Sequence, residues 1–177
     1  NKYHIMLLRD LPANSYPEKY NTYINALDPD TNLVEGLEIS LYEYIRFVQS
    51  ITLGKHDYRY AEGKWTIKDI IQHLIDCERI FSYRALRLGR NDQSQLAPFD
   101  ENEYADQAGG NLRTLQSLLT ELSAVRQSTL ILYKTFTAEQ LRQQWVSGNN
   151  EVSLAALGFI IIGHQQHHKK IFEERYL

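Results

Sequence analysis

Two histidines four residues apart lie on the apolar face of the last helical segment of this chain. Between Leu154 and Tyr176, apolar side chains recur every three or four residues, as on the buried face of an α-helix. His164 and His168 fall on that face. Residues four apart lie one turn above each other, so two such imidazoles can share one divalent cation. The pair alone is more simply interpreted as two hydrogen-bonded core histidines, and a third ligand is needed to decide.

A third histidine lies at the edge of the apolar stripe of an earlier helical segment. His73 follows Ile70 by three residues and precedes Cys77 by four. If the two helices are neighbours, three neutral imidazoles would form three corners of a zinc or nickel sphere, although iron or copper also suits them. A site with three protein ligands and an open position is the catalytic arrangement. Such a site can lower the pKa of a bound water to about 7 or hold a thiolate for attack.

Other side chains near these histidines could take part in the site. His167 follows His164 by three residues and competes with His168, but the spacing of four favours His168 and leaves His167 for the site wall. Cys77 could be a fourth ligand or a nucleophile, although a small buried hydrophobic residue is the simpler interpretation. Trp65 precedes the helix of His73, where it can pack against the first turn and reach the pocket.

Three carboxylates on the helix of His73 are further candidates. Asp69 and Asp76 lie about one turn to either side of His73 and could orient its imidazole, although a helix cap and a surface charge are the simpler interpretations. Glu78 could act as a general base, but carboxylates on helices are usually solvated. The His-Glu-x-x-His motif of metalloproteases is absent, because Gln165 follows His164.

A basic stripe follows on the same helix and consists of Arg84, Arg87 and Arg90. These side chains could receive a carboxylated thiol or another anionic substrate, but they also suit the negative end of a helix dipole. The remaining histidines, His4 and His56, fall in an N-terminal arm and a connection, and we assign them no role.

Four long amphipathic segments must position these side chains. We expect the first to begin at Asp30 or Asn32, the second at Thr66 with a capping box to Asp69, the third at Asn111 and the fourth at Ser153. A second capping box at Thr137 predicts a short extra helix.

The connections are read from proline, glycine and polar residues. Residues 1–30 read as an arm with a short helix packed across the bundle, residues 91–108 as a long loop with one helical turn, and residues 144–152 as a turn. No segment shows a convincing period of two. The sequence therefore predicts an all-α four-helix bundle in a single domain, residues 1–177.

Composition excludes several classes of protein. The 177 residues are 43% hydrophobic and 23% charged, with a net charge of −3 and a pI near 6.1, so no basic surface predicts nucleic acid or an anionic membrane as a partner. Cys77 is the single cysteine, which excludes an internal disulfide framework. The sequence has no apolar run of membrane-spanning length and no signal-peptide layout near its start. We expect a cytoplasmic protein.

The chain resembles the DinB-like (DinB/YfiT) superfamily along nearly its whole length. The matching stretches are Gly63-Lys64-Trp65-Thr66-Ile67, Gln72-His73-Leu74-Ile75-Asp76, Phe81-Ser82-Tyr83-Arg84-Ala85-Leu86-Arg87, and Ile162-Gly163-His164 with His167-His168. The resemblance implies an up-down-down-up bundle, frequent homodimers, and a divalent metal, zinc or nickel, bound by His73, His164 and His168. It also implies a range of activities on small molecules, among them transferases that use low-molecular-weight thiols, and hydrolases.

Two functions from different classes follow. The first is a metal-dependent enzyme whose open three-histidine site activates a thiol or water for transfer to, or hydrolysis of, a small electrophile. The second is a non-catalytic, stress-related binding or dimeric interaction module in which the metal is structural. An open metal site with turnover would support the first function, and a closed or empty site without turnover would support the second.

Overall fold

A computed structural model of the protein describes residues 5–147 and 150–177. Its elements in chain order are the helices α1 (Asn21–Asn25), α2 (Leu33–Ser50), α3 (Ile67–Gly89), α4 (Glu101–Ala108), α5 (Leu115–Lys134) and α6 (Ala138–Leu141), the strands β1 (Gln144–Ser147) and β2 (Asn150–Ser153), and the helix α7 (Leu154–Arg175). Short 3₁₀ turns occupy Leu8–Asp10, Glu18–Tyr20, Leu53–Lys55 and Gly110–Leu112. His4 and the predicted turn residues Gly148 and Asn149 lie outside the described residues.

Side-chain caps fix the starts of α2, α3 and α7 as their sequences predict. The Asn32 side chain accepts a hydrogen bond from the backbone N–H of Glu35 at the start of α2. Thr66 and Asp69 form the reciprocal capping box of α3. Ser153 caps α7 in the same way as Asn32 caps α2. Each cap satisfies backbone donors that the first helical turn leaves without a partner.

The four long helices form an all-α bundle with up-down-down-up connectivity. Helices α3 and α5 are parallel, because the Lys68 ammonium near the start of α3 donates to the carbonyl of Arg113, while the amide of Gln140 reaches the carbonyl of Gly89 at its end. Helices α2 and α7 are also parallel, because the Gln165 amide donates to the Ser40 carbonyl and, further along both helices, Tyr44 packs against Phe172. The two pairs run in opposite directions, and α2 and α3 each pack on both α5 and α7.

The core consists of two apolar clusters, one towards each end of the bundle. One cluster contains Cys77, Phe81 and Ile161, and the other contains Ile70, Leu74 and Phe172. His73 and His164 lie on α3 and α7 at the levels where one cluster gives way to the other. The three predicted metal ligands therefore lie in the interior of the bundle, as we expected for inward-facing imidazoles.

The third long helix begins later than its sequence predicts. Helix α5 starts at Leu115 with Thr114 as its cap, and the residues around Asn111 form a 3₁₀ turn instead. The backbone N–H of Asn111 donates to the Asp69 carboxylate, 2.9 Å away. A Cβ on Gly110 would lie 2.7 Å from the Cβ of Gln72, so this glycine lets the turn pack directly on α3. This tertiary contact overrides the local capping signal at Asn111.

Two connections are more ordered than the sequence indicates. The segment before α5 contains the eight-residue helix α4, which Asp100 caps with hydrogen bonds to two backbone N–H groups. The segment predicted as a turn contains the antiparallel pair β1 and β2, with Trp145 opposite Val152. Strands of four residues are too short for a period of two to stand out in the sequence.

The N-terminal arm lies across α7. A Cβ on Gly163 would lie 2.2 Å from the backbone oxygen of Tyr23, so only glycine allows α1 to approach this closely. Upstream, Leu7 forms an antiparallel bridge with Asn32. No helix within residues 5–147 and 150–177 is both long and apolar enough to cross a membrane.

Candidate metal centre

The structure brings His73, His164 and His168 together between α3 and α7. The Nε2 atom of His164 lies 3.0 Å from Nε2 of His73 and 3.1 Å from Nε2 of His168. The three ring centroids are 4.8 to 5.1 Å apart. The i,i+4 pair on α7 and the single histidine on α3 thus direct the same ring nitrogen towards one point.

Hydrogen bonding among the rings does not account for this arrangement. A neutral imidazole nitrogen carries either one proton or one lone pair in the ring plane. Nε2 of His164 meets two other Nε2 atoms at hydrogen-bond distance, so it cannot satisfy both contacts with good geometry. A cation shared by three lone pairs resolves the conflict.

The separations of the nitrogen atoms fit one transition-metal ion. Ligand nitrogens about 2.0 to 2.1 Å from a zinc ion, with angles between roughly 90° and 109°, are about 2.8 to 3.4 Å apart. The two observed separations fall inside that interval. Nδ1 of His168 is buried and has no hydrogen-bond partner among the described protein atoms. Its proton can sit on Nδ1 and leave the Nε2 lone pair for a metal.

Burial keeps the three imidazoles neutral, which is the form that binds metals. His73 and His164 are each 4% exposed, and His168 is 9% exposed. Desolvation lowers the pKa of His73 from 6.5 to about 4. Desolvation, together with the charges of neighbouring histidines, holds the pKa values of His164 and His168 well below 6.5. Protons therefore compete weakly for these nitrogens at neutral pH.

Cys77 lies against the cluster on the α3 side. Its Sγ is 3.5 Å from Nδ1 of His73 and 3.8 Å from Nε2, and the side chain is 2% exposed. Sγ and one ring nitrogen from each of His73 and His164 all lie within 4.8 Å of one another. Desolvation raises the pKa of the thiol to about 12, so the nucleophilic thiolate is scarce at neutral pH without a metal.

Aromatic rings that the sequence did not single out surround the histidines. The ring of Tyr23 in α1 lies 4.9 Å from His164 and 5.3 Å from His167, measured between centroids. Phe81 meets His164 edge to face at 6.3 Å. Burial raises the pKa of Tyr23 to about 12. His167 thus packs beside the cluster through Tyr23 and His168, but it is not among the residues that line the pocket at His168.

The two aspartates are bound elsewhere. The Asp69 carboxylate accepts from the backbone N–H groups of Thr66 and Asn111, so it caps α3 and holds the following 3₁₀ turn. The Asp76 carboxylate accepts from the Gln72 side chain at 2.9 Å. Neither carboxylate has a hydrogen bond to a histidine within the part of the chain that the structure describes. The cap that we favoured for Asp69 accounts for its position.

Glu78 is buried rather than solvated, which corrects the interpretation from its sequence. Its two oxygens accept from Nε and Nη2 of Arg126 at 2.8 and 3.0 Å, and both side chains are at most 3% exposed. Nη2 of Arg126 also donates to Gln165, the residue after His164. No pattern in the sequence around Arg126 predicts an interior residue. A carboxylate bound on both oxygens in this way does not act as a free general base.

One pocket gives the histidine cluster access to solvent. It has a volume of about 270 Å³, and its lining includes His168, Trp65, Tyr60, Asn102 and Tyr176. The Trp65 ring lies 4.9 Å from the His73 ring, so this residue forms both the pocket wall and a support for a candidate ligand. The Tyr176 hydroxyl donates to the Trp65 carbonyl, which ties the end of α7 to this wall.

His56, to which we assigned no role, contributes to the structure. It is buried, and its Nε2 lies 3.1 Å from the carbonyl of Ile51. This contact stabilises the turn that follows α2.

Known proteins share this chain's sequence and fold. A protein of Oceanobacillus iheyensis named "Putative metal-dependent hydrolase OB0413" is 31% identical over 111 residues, which are 62% of this chain and 63% of that protein. A Bacillus subtilis protein, "Putative metal-dependent hydrolase YfiT", is 22% identical over 125 residues, 68% of this chain and 69% of its own length. The chain thus matches somewhat less than two thirds of the first relative.

A solved structure has the same fold. YfiT from Bacillus subtilis, described as "a probable metal-dependent hydrolase with an unusual four-helix bundle topology", superposes with a TM-score of 0.73 at 17% identity and covers 93% of this chain and 90% of its own. The family model of the DinB superfamily matches residues 37–172, a span that contains all three clustered histidines. The chain belongs to the DinB superfamily.

Proposed function

We propose that this protein is a divalent-metal-dependent enzyme in which His73, His164 and His168 hold the metal and leave one side open to a small-molecule substrate. The observation that carries the proposal is the convergence of three Nε2 atoms beside a pocket that His168 lines. The metal-dependent hydrolases named among its relatives support hydrolysis as the reaction. Three imidazole ligands suit zinc or nickel, the metals that the family resemblance implies.

The chain's own residues orient the site and limit access to it. Cys77 and Trp65 contact the His73 ring, and Tyr23 and Phe81 pack on His164, so both rings are held before a ligand arrives. The pocket walls from Trp65 and Tyr176 would hold a small apolar or aromatic substrate beside His168. A divalent cation at this point supplies Lewis acidity and brings the pKa of water to about 7.

A water molecule and a thiol are alternative nucleophiles at such a site. No carboxylate of the described residues forms a hydrogen bond with the three imidazoles. Glu78, the buried candidate, is held by Arg126. Activation of the nucleophile would therefore rest on the cation rather than on a side-chain base. This absence favours a nucleophile that ionises readily at a metal, and a low-molecular-weight thiol meets that requirement as well as water does.

Metal analysis of protein purified without a histidine tag tests the assignment. We expect close to one divalent ion per chain in the wild type, and loss of both metal and turnover in His73→Ala and His168→Ala. His167→Ala is the matched control, because this histidine lies beside the cluster and should leave the metal in place. Retention of full metal stoichiometry in both ligand variants would exclude the triad.

The reaction itself is tested with two panels on the metal-loaded protein. One panel contains small esters and amides, and the other contains thiols with a small electrophile. Turnover in the first panel identifies a hydrolase, and turnover that requires the thiol identifies a transferase.

We also expect a cytoplasmic homodimer, as the family resemblance implies.

The burial of the cluster favours a second function. His73 and His164 are each 4% exposed, and Cys77 offers a sulfur next to them, so a closed site with a cysteine ligand would make the metal structural. The bundle would then be a stress-related binding or dimeric interaction module. In that case metal removal unfolds the protein, and neither panel gives turnover above that of the His168→Ala variant.

A further inference from the structure

A second cavity lies at the end of the bundle away from the candidate metal centre. It has a volume of about 260 Å³ and is lined by five parts of the chain: the N-terminal arm, the end of α3, the loop that follows α3, the hairpin, and the start of α7. Most of its surface is apolar and aromatic, with Tyr20, Leu88, Leu96, Trp145 and Leu157 in the lining. It approaches the size of known small-molecule pockets, which begin at about 300 Å³.

The polar side chains of this cavity carry an excess of positive charge. Lys19, Arg84, Arg87 and Asp92 line it. Arg87 and Asp92 form an ion pair with each other, and Arg87 also donates to the Tyr83 hydroxyl. The carboxylate in the lining is thereby neutralised, and two cations remain.

Lys19 and Arg84 have no acidic partner in residues 5–147 and 150–177. Arg84 lies over the ring of Phe99 at 5.7 Å and makes one long hydrogen bond, 3.4 Å, to the carbonyl of Ala97. Lys19 lies over the Tyr20 ring at 5.0 Å. An arginine that is partly buried and meets only a carbonyl and an aromatic face retains donors for an anion.

The cavity walls are joined to one another. The indole N–H of Trp145 donates to the carbonyl of Ser94 at 3.2 Å, which fastens the hairpin to the loop after α3. Arg84 fastens the same loop to α3 through Ala97. A pocket whose walls are fixed before binding loses less entropy when it takes a ligand.

We infer that this cavity binds a small organic acid with an apolar or aromatic body, whose carboxylate pairs with Arg84 and Lys19. The apolar lining receives the body, and the two unpaired cations receive the charge. The site is separate from the pocket at His168, since the two share no lining residue. Tyr20 lines the cavity and its ring lies 6.2 Å from that of Phe81, which packs on His164, so an occupant would reach the histidine cluster only through these two rings.

Calorimetric titration of the full chain with 2-naphthoate and octanoate tests the inference, with 2-naphthamide as the uncharged counterpart. We expect saturable binding of both acids and at least about tenfold weaker binding of the amide, the ratio that corresponds to one charge-assisted hydrogen bond. The titration is repeated after metal removal, because a carboxylate could also bind a metal ion. Binding that depends on the metal would assign the acid to the histidine cluster and overturn the inference.

Variants locate the site. Arg84→Gln should weaken binding of 2-naphthoate about tenfold or more, whereas Arg90→Gln, an exposed arginine of the same stripe outside the lining, should change it less than twofold. Leu96→Trp fills the cavity without altering its charge and should abolish binding. The chain has two tryptophans, so in Trp65→Phe the emission of Trp145 alone should respond to the acid. Undetectable binding of 2-naphthoate to the wild type would overturn the inference. Binding to Arg84→Gln and Leu96→Trp that is as tight as binding to the wild type would also overturn it.

Discussion

Arg126 and Glu78 form a two-armed ion pair in the interior of the bundle. Nε and Nη2 of the guanidinium donate to the two carboxylate oxygens at 2.8 and 3.0 Å. Its remaining hydrogen bonds reach the Leu37 carbonyl and Ser40 hydroxyl on α2 and the Gln165 amide oxygen on α7. One side chain on α5 therefore joins all four long helices next to the histidine cluster.

Loss of Arg126 should strongly destabilise the protein. Arg126→Met leaves the Glu78 carboxylate buried without its partner, and removing one member of a buried pair costs about 3 to 5 kcal/mol. Urea denaturation followed by circular dichroism measures the change in the free energy of unfolding.

The matched control is Arg79→Met, at the residue that follows Glu78 on α3. Arg79 also pairs with a glutamate, Glu121, but its side chain is 53% exposed. Exposed ion pairs contribute about 0 to 1 kcal/mol, so this variant should be close to the wild type in stability. Equal losses in the two variants would show that the interior pair has no special role.

Gly163→Ala should displace α1 from α7. The added Cβ would lie 2.2 Å from the backbone oxygen of Tyr23, and neither backbone can move freely. We expect a loss of about 1 to 3 kcal/mol in the free energy of unfolding, as for other overpacked sites. Gly54→Ala is the control, since a Cβ there meets nothing within 4 Å and this glycine does not have a positive φ. A Gly163→Ala protein as stable as Gly54→Ala would contradict the close approach.

The parts of the fold that local signals encode were predictable from the sequence. Asn32, Thr66 and Ser153 cap the helices that their positions predict, because a cap depends on residues within one turn. The convergence of His164 and His168 with His73 followed from two apolar stripes, given that the helices were neighbours. Each of these inferences rests on a spacing between residues, which fixes the direction of their side chains once the segment is helical.

Features that arise from contacts distant in sequence could not be predicted. Arg126 and Glu78 are 48 residues apart. When each helix is considered alone, its charged residue is expected to face solvent. The start of α5 shifted from Asn111 to Leu115 because the Asp69 carboxylate, 42 residues upstream, holds the Asn111 backbone. Tyr23 reaches His164 only because a glycine lets the arm lie on α7.

The metal-free protein should lose stability as the pH falls from about 6.5 to about 4. Burial lowers the pKa of His73 to about 4, whereas an unfolded histidine titrates near 6.5. Between these values the unfolded chain binds more protons, so acid favours unfolding, at up to about 1.4 kcal/mol per pH unit for this group. The stability conferred by neutral His73 is present above pH 6.5.

Comparison with His73→Gln isolates this contribution from that of other titrating groups. Both proteins are freed of metal and unfolded with urea at several pH values between 4 and 7. The wild type should show the steeper dependence on pH over the window. Parallel curves would mean that His73 titrates normally in the folded protein.

Substitution of Cys77 separates the open metal site from the closed one. If three histidines hold the metal, Cys77→Ala should keep full metal stoichiometry and lose only the packing of one sulfur atom, on the order of 1 kcal/mol. Because burial raises the pKa of this thiol to about 12, iodoacetamide should modify the folded wild-type protein far more slowly than the urea-unfolded chain. Mass spectrometry after timed labelling measures the two rates, and His167→Ala serves as a control for the metal content of a variant altered beside the cluster. A Cys77→Ala protein that loses its metal while its fold persists would make the sulfur a ligand and the site a closed, structural one.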